Sequence, residues 1–369
     1  MSTKPPLLSI CIPTYSRAEL LESALTSLVS QVSEVAGEVE LIVSDNCSTD
    51  QTAEVVERMS RECPIRYHRN EENVGVVDNF LGTAKDLARG EFCWMMGDDE
   101  LVRPGGVRSI LEAIKAQPEL DYFYVNYSID TFDRRPAGVV RTDDFFTWTR
   151  TGTDNVDERR IERWESLLAE DFNCLTAIYC SVFRRSMWLK VARNLKAGEP
   201  FTSLEQTYPH SWILVRAMVG KPAWASGYPW IVMCGKESWA DFIPLVVLVR
   251  FHELLDDYVA QGVEARYVEA HRRRMLSYAT EPLTRILQGE NLPRLESFSA
   301  VGFVVKHWRY DELWRALYRS TLTASIGQVA RRSPVLLPFA LGARAHLRLT
   351  RSYEKLRARF NGSARGAIY

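Results

Sequence analysis

Apolar runs and helical stripes alternate along the first 130 residues. Short apolar runs of strand length, each bounded by polar residues, glycine or proline, occupy residues 7–13, 39–44, 91–96 and 122–126, and residues 65–68 give a further short strand. Apolar positions at helical spacing lie between them, at residues 17–31, 52–61, 76–88 and 104–117. This alternation predicts the α/β class, with a mostly parallel sheet covered by helices on both faces.

The pattern changes twice after residue 130. Residues 130–172 are polar and charge-mixed, which predicts a long loop or inserted hairpin that serves as a lid. Strand-like runs at 175–183 and 223–234 then flank a helical stretch at 205–219. Mainly helical signals follow, at residues 242–261, 265–288, 311–328 and 343–360. We therefore expect an α/β domain over 1–240, with halves 1–130 and 131–240, and a helical region over 241–369.

Composition narrows the class of partner. The 369 residues carry a formal net charge of −1, so no global field selects nucleic acid. Seven cysteines without a CxxC pair indicate reduced thiols in a cytosolic protein. We expect no signal peptide and no membrane-spanning helix, because the N-terminus has no apolar core and no apolar run approaches about 20 residues.

Polar clusters follow three of the predicted strands. They are Thr14 to Arg17, Asp45 with Asn46, and the acidic turn Asp98-Asp99-Glu100. Ligands of open α/β sheets bind outside the carboxyl ends of the strands, so the three clusters are expected on one rim.

The acidic turn has a specific chemical use. Consecutive carboxylates offer hard oxygen ligands to Mg²⁺ or Mn²⁺, and such an ion bridges a diphosphate. A solvated acidic loop is the alternative. Asp45 suits a hydrogen bond to a base or ribose, or equally a cap on the next helix together with Ser48 or Asp50. Arg17 and Arg69 suit phosphate or base contacts, or plain surface charge.

Four motifs in order resemble one family. They are Ser9-Ile-Cys-Ile-Pro-Thr-Tyr-Ser-Arg, Val43-Ser-Asp-Asn-Cys-Ser-Thr-Asp, Asn73-Val-Gly with Asn79, and Trp94-Met-Met-Gly-Asp-Asp-Glu. The set resembles glycosyltransferase family 2, nucleotide-sugar transferases of GT-A fold, well over residues 7–125 and weakly to about 240. The Gly-Asp-Asp-Glu form and a later Tyr-Pro-His are loosely similar to abequosyltransferase-type enzymes of bacterial O-antigen synthesis.

The resemblance implies roles for individual residues. Asp98 would reach the ribose or sugar, Asp99 would bind Mn²⁺ or Mg²⁺, and Glu100 would assist. Gly97 stands where the family's DxD pattern has its first Asp, which is a departure from the pattern. The other donor contacts implied are Pro13, Thr14, Arg17, Asp45, Arg69, Asn73 and Asn79.

Three residues are candidates for the catalytic base that removes the acceptor proton. Glu205 lies in the nearest counterpart of the family's Glu-Asp motif, where Gln206 replaces the Asp. His210, in Tyr208-Pro-His, suits a base, a metal ligand, a phosphate contact or a structural residue. Asp241 is the third candidate, and neighbouring Trp239 is the candidate for stacking on an acceptor sugar.

The C-terminal segment is basic. Residues 331–369 contain nine lysines and arginines against one acid, Glu354, interleaved with apolar residues. This pattern predicts a helix on the anionic inner face of the cytoplasmic membrane, or alternatively a helix packed on the body with a solvated basic face.

The sequence thus predicts a metal-assisted glycosyltransferase. It would move one sugar from a nucleotide-sugar to a saccharide or polyprenyl-linked glycan, as in surface-polysaccharide synthesis. It would be cytoplasmic or peripheral to the membrane. A nucleotidyltransferase is an alternative, although its Gly-rich phosphate loop is missing after the first strand. A non-catalytic, nucleotide-sugar-binding relative is the other. We expect no processive synthesis, because the chain has no Gln-x-x-Arg-Trp motif.

Overall fold

A computed structural model describes most of the chain in two compact units. The described residues are 5–130, 150–153, 157–171, 173–195, 198–234, 240–323, 337–339, 341–343 and 345. The first unit comprises Met1–Glu237 with Asp257–Tyr267, and the second comprises Ser238–Asp256 with Val268–Tyr369.

Twelve strands lie among the described residues of the first unit. They are β1 Leu8–Thr14, β2 Val39–Asp45, β3 Ile65–Arg69, β4 Phe92–Met95, β5 Leu101–Val102, β6 Tyr122–Tyr124, β7 Tyr127–Asp130, β8 Arg150–Thr151, β9 Arg159–Ile161, β10 Ser181–Arg184, β11 Ala223–Ala225 and β12 Ile231–Cys234. An eight-stranded sheet has the order β3-β2-β1-β4-β10-β6-β11-β9, and a four-stranded sheet has the order β5-β12-β7-β8.

Parallel pairing dominates the half of the large sheet that carries the predicted clusters. Strand β1 pairs in parallel with both β2 and β4, and β2 pairs in parallel with β3. Strand β10 enters antiparallel between β4 and β6, so the sheet is mixed. Six of the seven residues of β1 are buried, as expected of a central strand covered on both faces.

Helices connect and cover the strands. In the first unit they are α1 Ala18–Glu34, α2 Thr52–Met59, α3 Val76–Gly82, α4 Gly106–Ala116, α5 Arg185–Ala192, α6 Leu204–Thr207 and α7 Pro209–Met218. A π-helical turn, Thr83–Leu87, extends α3. Short 3-10 turns cover Trp164–Ala169, Asn173–Leu175 and Ile178–Cys180.

The described residues after 240 are mainly helical, as predicted. A 3-10 turn at Ala240–Phe242 leads into α8 Ile243–Leu245, and a π-helical turn at Val246–Arg250 leads into α9. The helices after α8 are α9 Phe251–Ala260, α10 Ala265–Tyr278, α11 Thr280–Gln288, α12 Ala300–His307 and α13 Asp311–Thr323. The basic residues of the predicted membrane helix lie outside the described residues.

Several predicted elements were wrong in detail, among them the helix 265–288, which is two helices separated at Ala279. The run 175–183 forms 3-10 turns and becomes a strand only at Ser181, because an apolar run reports burial rather than strand geometry. The stretch 205–219 is two helices, broken at Tyr208, where Pro209 starts α7. The run 223–234 is two strands, β11 and β12, which belong to different sheets.

Candidate active site

The rim predicted from the sequence is present at the carboxyl ends of β1, β2 and β3. Thr14 is paired with Asp45 across β1 and β2, and Asp45 is paired with Arg69 across β2 and β3. Three candidate donor contacts therefore lie in one row, beside Pro13 on β1. The acidic turn follows β4, whose residues pair with β1 on its other side.

Thr14 and Arg17 hold the acidic turn. The Thr14 hydroxyl donates to Asp98 Oδ2 at 2.7 Å. Arg17 spans both carboxylates, with Nη1 at 2.6 Å from Asp98 Oδ1 and Nη2 at 2.6 Å from Asp99 Oδ2. Thr14 is the last residue of β1, and Arg17 directly precedes α1. The end of β1 and the loop after it therefore bring both side chains to the acidic turn.

The charge of the turn is concentrated and largely buried. Burial raises the pKa of Asp98 to about 6, although Arg17 and Thr14 favour its ionised form, and the charge of Asp99 raises it further. Burial also raises the pKa of Glu100 well above its usual range, and Asp99 and Asp98 add to the effect. Because the three carboxyl groups repel one another when ionised, a bound cation would stabilise the acidic turn.

The carboxyl group of Glu100 occupies the space that a side chain at residue 97 would need. A β-carbon at residue 97 would overlap Glu100 Oε2 and would lie 2.8 Å from Asp99 Oδ1. Glu100 is buried, and its Oε2 has no hydrogen-bond partner among the described residues. The carboxyl group of Glu100 thus lies over Gly97, beside Asp99, where the family pattern places an Asp side chain.

The residues present suit a divalent cation that is shared with a substrate. Among the described residues, no cluster of three or more His, Cys, Asp or Glu side chains is arranged to hold a metal ion without other ligands. Mg²⁺ sites commonly use one or two carboxylates and complete their shell with substrate phosphates and water. Asp99 and the unpartnered Glu100 oxygen supply such a pair.

Asp45 is buried and engaged within the rim. Its Oδ1 accepts from the Ser48 amide at 2.8 Å, and its Oδ2 accepts from the Tyr67 hydroxyl at 2.5 Å. Arg69 Nε lies 3.5 Å from the same Oδ2, and Arg69 also donates to the Ser48 carbonyl at 2.8 Å. Asp45 does not cap the next helix, the alternative considered from the sequence, because Asp50 accepts from the Thr52 amide where α2 begins. The Ser48 and Tyr67 bonds instead fix the Asp45 carboxylate at the floor of the rim.

The predicted donor contacts Asn73 and Asn79 belong to an amide network. Asn46 donates to Asn73 Oδ1 at 2.8 Å and accepts from Asn70 at 3.0 Å. Buried Asn79 accepts from the Ser44 hydroxyl and donates to the Ser44 carbonyl. This network shapes the loop between β3 and α3, so Asn79 acts on the rim by positioning it.

The loops after β1 and β2 are bound to each other. Ser16 and Cys47, each two residues past its strand, have left-handed backbones with φ of 50° and 66°. The Ser16 amide donates to Ser48 Oγ at 2.8 Å. Asp50 accepts from the Ala18 amide, where α1 begins, and from Thr52, where α2 begins. Strained backbones of this kind gather at functional sites.

His210 lies on the first turn of α7, against the donor-side helix α3. Its Nε2 is 2.9 Å from the Thr176 carbonyl oxygen, and its ring packs edge-on against Phe80 with centroids 6.3 Å apart. A carbonyl oxygen only accepts, so Nε2 carries the proton and Nδ1 of the neutral ring keeps a lone pair. Burial lowers the pKa of His210 to about 4, although the Thr176 bond opposes the shift.

The remaining candidates are less well placed. Glu205 is partly exposed on the short helix α6. Asp241 is exposed and belongs to the second unit. Trp239 lies outside the described residues.

Tyr179 is a site residue that the sequence reasoning missed. Burial raises the pKa of its hydroxyl group well above its usual range, and the charge of Glu100 adds to the shift. The Tyr179 carbonyl accepts from Trp94 Nε1 at 2.7 Å, which ties the Ile178–Cys180 turn to β4. The sequence did not indicate this contact with β4, because Tyr179 lies inside an apolar run that resembles a buried strand.

Comparison with known proteins identifies the domain that carries this rim. The sequence profile of "Glycosyl transferase family 2" matches residues 9–176. The match covers less than half of the chain and shows a family 2 domain over these residues. The match includes the row Thr14–Asp45–Arg69 and the acidic turn, so the family predicted from the motifs is confirmed.

Relatives of known name match over part of their length. Abequosyltransferase RfbV of Salmonella typhimurium is 36% identical over 116 residues, 31% of this chain and 34% of that protein. The GalNAc(5)-diNAcBac-PP-undecaprenol beta-1,3-glucosyltransferase of Campylobacter jejuni is 31% identical over 108 residues, 29% of this chain and 34% of that protein. The chain thus matches about a third of the length of either relative.

A solved structure shares the fold. TarS 1-349 of S. aureus, in complex with UDP-GlcNAc, superposes with a TM-score of 0.51 at 18% identity. The likeness covers 92% of this chain and 87% of that chain. The predicted GT-A fold is therefore confirmed. Within the described residues, no helix has both the length and the apolar content to cross a membrane.

Proposed function

We propose that this chain is a glycosyltransferase that moves one sugar at a time from a nucleotide-sugar to a hydroxyl group of a glycan or lipid-linked saccharide. The observation that carries the proposal is the acidic turn held by Thr14 and Arg17 on the rim of β1 to β4. The rim combines buried acceptors for a nucleoside with carboxylates for a cation on a diphosphate.

The donor would lie along the row of strand ends. Asp45 and Asp98 are buried carboxylates, suited to accept hydrogen bonds from the base and the ribose. Arg69 borders Asp45, while Pro13 and Thr14 form the wall between Asp45 and the acidic turn. Asn73 and Asn79 would support this wall through the amide network.

Asp99 and Glu100 would hold Mn²⁺ or Mg²⁺. Such an ion supplies positive charge that stabilises the nucleoside diphosphate as it leaves. The unpartnered buried oxygen of Glu100 beside Asp99 supports this donor set.

We propose His210 as the base, because the Thr176 carbonyl holds its ring in one orientation. Its proton on Nε2 is donated to Thr176, so Nδ1 is the atom that accepts the proton of the acceptor hydroxyl. The hydroxyl oxygen then forms a bond to the anomeric carbon as the bond from that carbon to the diphosphate oxygen breaks. Glu205 and Asp241 have no comparable fixed geometry among the described contacts.

The names of the relatives support a role in surface-polysaccharide synthesis. One matched protein is an abequosyltransferase, and another acts on an undecaprenol-linked saccharide by its name. A polyprenyl-linked acceptor would bring the chain to the inner face of the cytoplasmic membrane, where the basic C-terminal segment would meet anionic lipid.

Donor hydrolysis tests the proposal. Purified chain with Mn²⁺ is incubated with a panel of UDP-, dTDP-, CDP- and GDP-sugars, and nucleoside diphosphate is measured. We expect nucleoside diphosphate to be released from one class of donor. This release should be lost in EDTA and in Asp99→Asn, because no cation then stabilises the departing diphosphate.

Asp86→Asn is the matched control, since Asp86 is exposed on the π-helical turn and should leave turnover unchanged. Donor binding without turnover would instead identify a binding-only relative. Release of pyrophosphate from nucleoside triphosphates would identify a nucleotidyltransferase.

A further inference from the structure

A cavity of about 360 Å³ lies within the second unit, and none of its lining residues belongs to the proposed donor site. Its walls come from the π-helical turn before α9, the first residues of α9, the loop at 294–299 and helix α12. Leu248, Phe298 and Phe303 give it an apolar side. The volume is in the range of small-molecule sites, about 300–1,000 Å³.

Two buried histidines line the cavity. His252 and His307 are each 2% exposed, and their ring centroids are 4.4 Å apart. His307 donates from Nδ1 to the Phe303 carbonyl at 2.9 Å. The Nε2 atoms of both rings are buried and have no hydrogen-bond partner among the described residues. Buried polar atoms are nearly always bonded, so two neighbouring orphans indicate a missing ligand.

The surroundings of the histidines are cationic. Lys306 and Arg272 share one carboxylate, Asp256, each at 2.6 Å. Arg272 Nη1 also lies 3.4 Å from His252 Nδ1. The other charged groups at the cavity are Arg250, which is paired with Glu253, and Arg294.

This charge pattern favours an anion over a metal cation. Burial lowers the pKa of His307 to about 4, and Lys306 and Arg272 lower it further. Burial lowers the pKa of His252 well below its usual range, with His307 and Arg272 adding to the effect. A divalent cation would face the same repulsion. An anion would relieve it, and would let the rings take up protons and donate from Nε2.

The N-terminus of α12 is the second feature that suits an anion. Ser299 caps the helix by accepting from the Gly302 amide at 3.0 Å, and both residues line the cavity. Backbone amides and the helix dipole at such an end favour phosphate. The group most consistent with these donors is a phosphate or diphosphate, and the apolar side accommodates a hydrocarbon attached to it.

We infer that the second unit binds a phosphorylated ligand in this cavity, between His252, His307, Arg294 and the start of α12. The site is separate from the donor rim, and the inference stands whether or not the chain transfers sugar. Its phosphate comes from a soluble diphosphate or from a lipid headgroup, and the experiment distinguishes the two sources.

Calorimetry on the full chain tests the inference. The protein carries Asp99→Asn and is kept in EDTA, so that the proposed metal–diphosphate site is inactive. Pyrophosphate and farnesyl diphosphate are titrated at pH 6 and pH 8 in buffers of different ionisation enthalpy. We expect saturable binding with proton uptake, and affinity that rises as pH falls, up to about tenfold per pH unit for each proton taken up.

Variants locate the site. Arg294→Gln should weaken binding about tenfold, the loss of one charge-assisted hydrogen bond, and His307→Gln should reduce the proton uptake. Arg319→Gln, an exposed cation on α13, is the control and should bind as the parent does. If His307→Gln does not fold, Arg294→Gln on the loop still decides the matter.

A vesicle arm identifies the source of the phosphate. Phosphatidylglycerol vesicles that bind more tightly than phosphatidylcholine vesicles, with a loss in Arg294→Gln, indicate a lipid headgroup. Binding of pyrophosphate alone indicates a soluble ligand. The inference is overturned if neither diphosphate nor anionic vesicles bind, or if Arg294→Gln and His307→Gln both bind like the control.

Discussion

Arg17 is the natural counter-ion of the acidic turn in the ligand-free chain. It contacts Asp98 and Asp99 with separate nitrogens, both at 2.6 Å. A cation that binds Asp99 Oδ2 must displace Arg17 from that oxygen. Once displaced, the guanidinium group lies close to where the diphosphate would meet the metal, and it suits bidentate phosphate binding.

Removing Arg17 should therefore change two affinities in opposite directions. In Arg17→Gln, Mn²⁺ affinity of the nucleotide-free chain should rise about tenfold, since an ion pair of about 1.4 kcal/mol no longer competes. Nucleotide-sugar affinity in the presence of Mn²⁺ should fall. Electron paramagnetic resonance of free Mn²⁺ and calorimetry with the donor measure the two quantities.

Arg108→Gln is the matched control for that experiment. Arg108 is an exposed arginine paired with Glu34 at 2.8 Å, away from the turn. Its removal should leave both affinities unchanged. Equal or weaker Mn²⁺ binding in Arg17→Gln would contradict the competition.

Residue types were predictable at this site, but their contacts were not. Three carboxylates directly after a buried strand indicated a ligand site from the sequence alone. The bond from Thr14 to Asp98 joins residues 84 apart in sequence, and only the parallel pairing of β1 with β4 creates it. The overlap of Gly97 with Glu100 likewise depends on a side-chain rotamer that no sequence pattern encodes.

At the scale of elements, the segment after residue 171 positions the proposed base. Buried Asp171 accepts from the hydroxyl groups of Tyr124 and Tyr127, both at 2.8 Å, which fixes this segment to β6 and β7. The segment then presents the Thr176 carbonyl to His210 and the Tyr179 carbonyl to Trp94 on β4. Its apolar run was predicted as a strand, so the carbonyl that orients His210 could not be foreseen.

Replacing His210 tests that arrangement. His210→Gln should lower kcat about 10²- to 10⁴-fold, the range of a lost general base, with donor affinity unchanged. Single-turnover transfer and donor calorimetry separate the two effects. His68→Gln replaces an exposed histidine at the end of β3 and should leave kcat unchanged. An unchanged kcat in His210→Gln would leave the ring a packing partner of Phe80.

Helices and strands with a clear buried apolar pattern were the ones that the sequence predicted. The strands β1, β2 and β4 were found because they are mostly apolar, buried runs, and α1 and α4 because their apolar stripes are buried. The short strands β5, β8 and β9 have two or three residues each, too few to show a period. Helix α12 was missed because its run of Ala, Val, Gly and Phe shows no polar face.

At the scale of the whole molecule, the family domain accounts for less than half of the chain. The profile ends at residue 176, whereas His210 and the cavity beside α12 lie beyond it. The four motifs therefore do not determine the proposed base, the proposed acceptor contacts or the second unit, which depend on residues outside the motifs. Sequence reasoning was accordingly strongest before residue 125 and weakest after 175.

The buried histidines should make the chain sensitive to acid. Burial lowers the pKa of His210 and of His307 to about 4, so the unfolded chain, with histidine pKa near 6.5, takes up these protons first as pH falls. The free energy of unfolding should therefore decrease between about pH 6.5 and pH 4. Asp98 acts in the opposite direction, because its pKa of about 6 lies above the unfolded value and its protonation favours the folded chain.

Urea unfolding in EDTA at pH 7.5 and pH 5, followed by circular dichroism, measures the balance. The midpoint should fall at pH 5 in the parent chain, fall less in His210→Gln, and fall more in Asp98→Asn, which lacks the compensating protonation. His68→Gln should follow the parent, since His68 is exposed. A loss in His210→Gln as large as in the parent would show that this histidine already titrates normally in the folded chain.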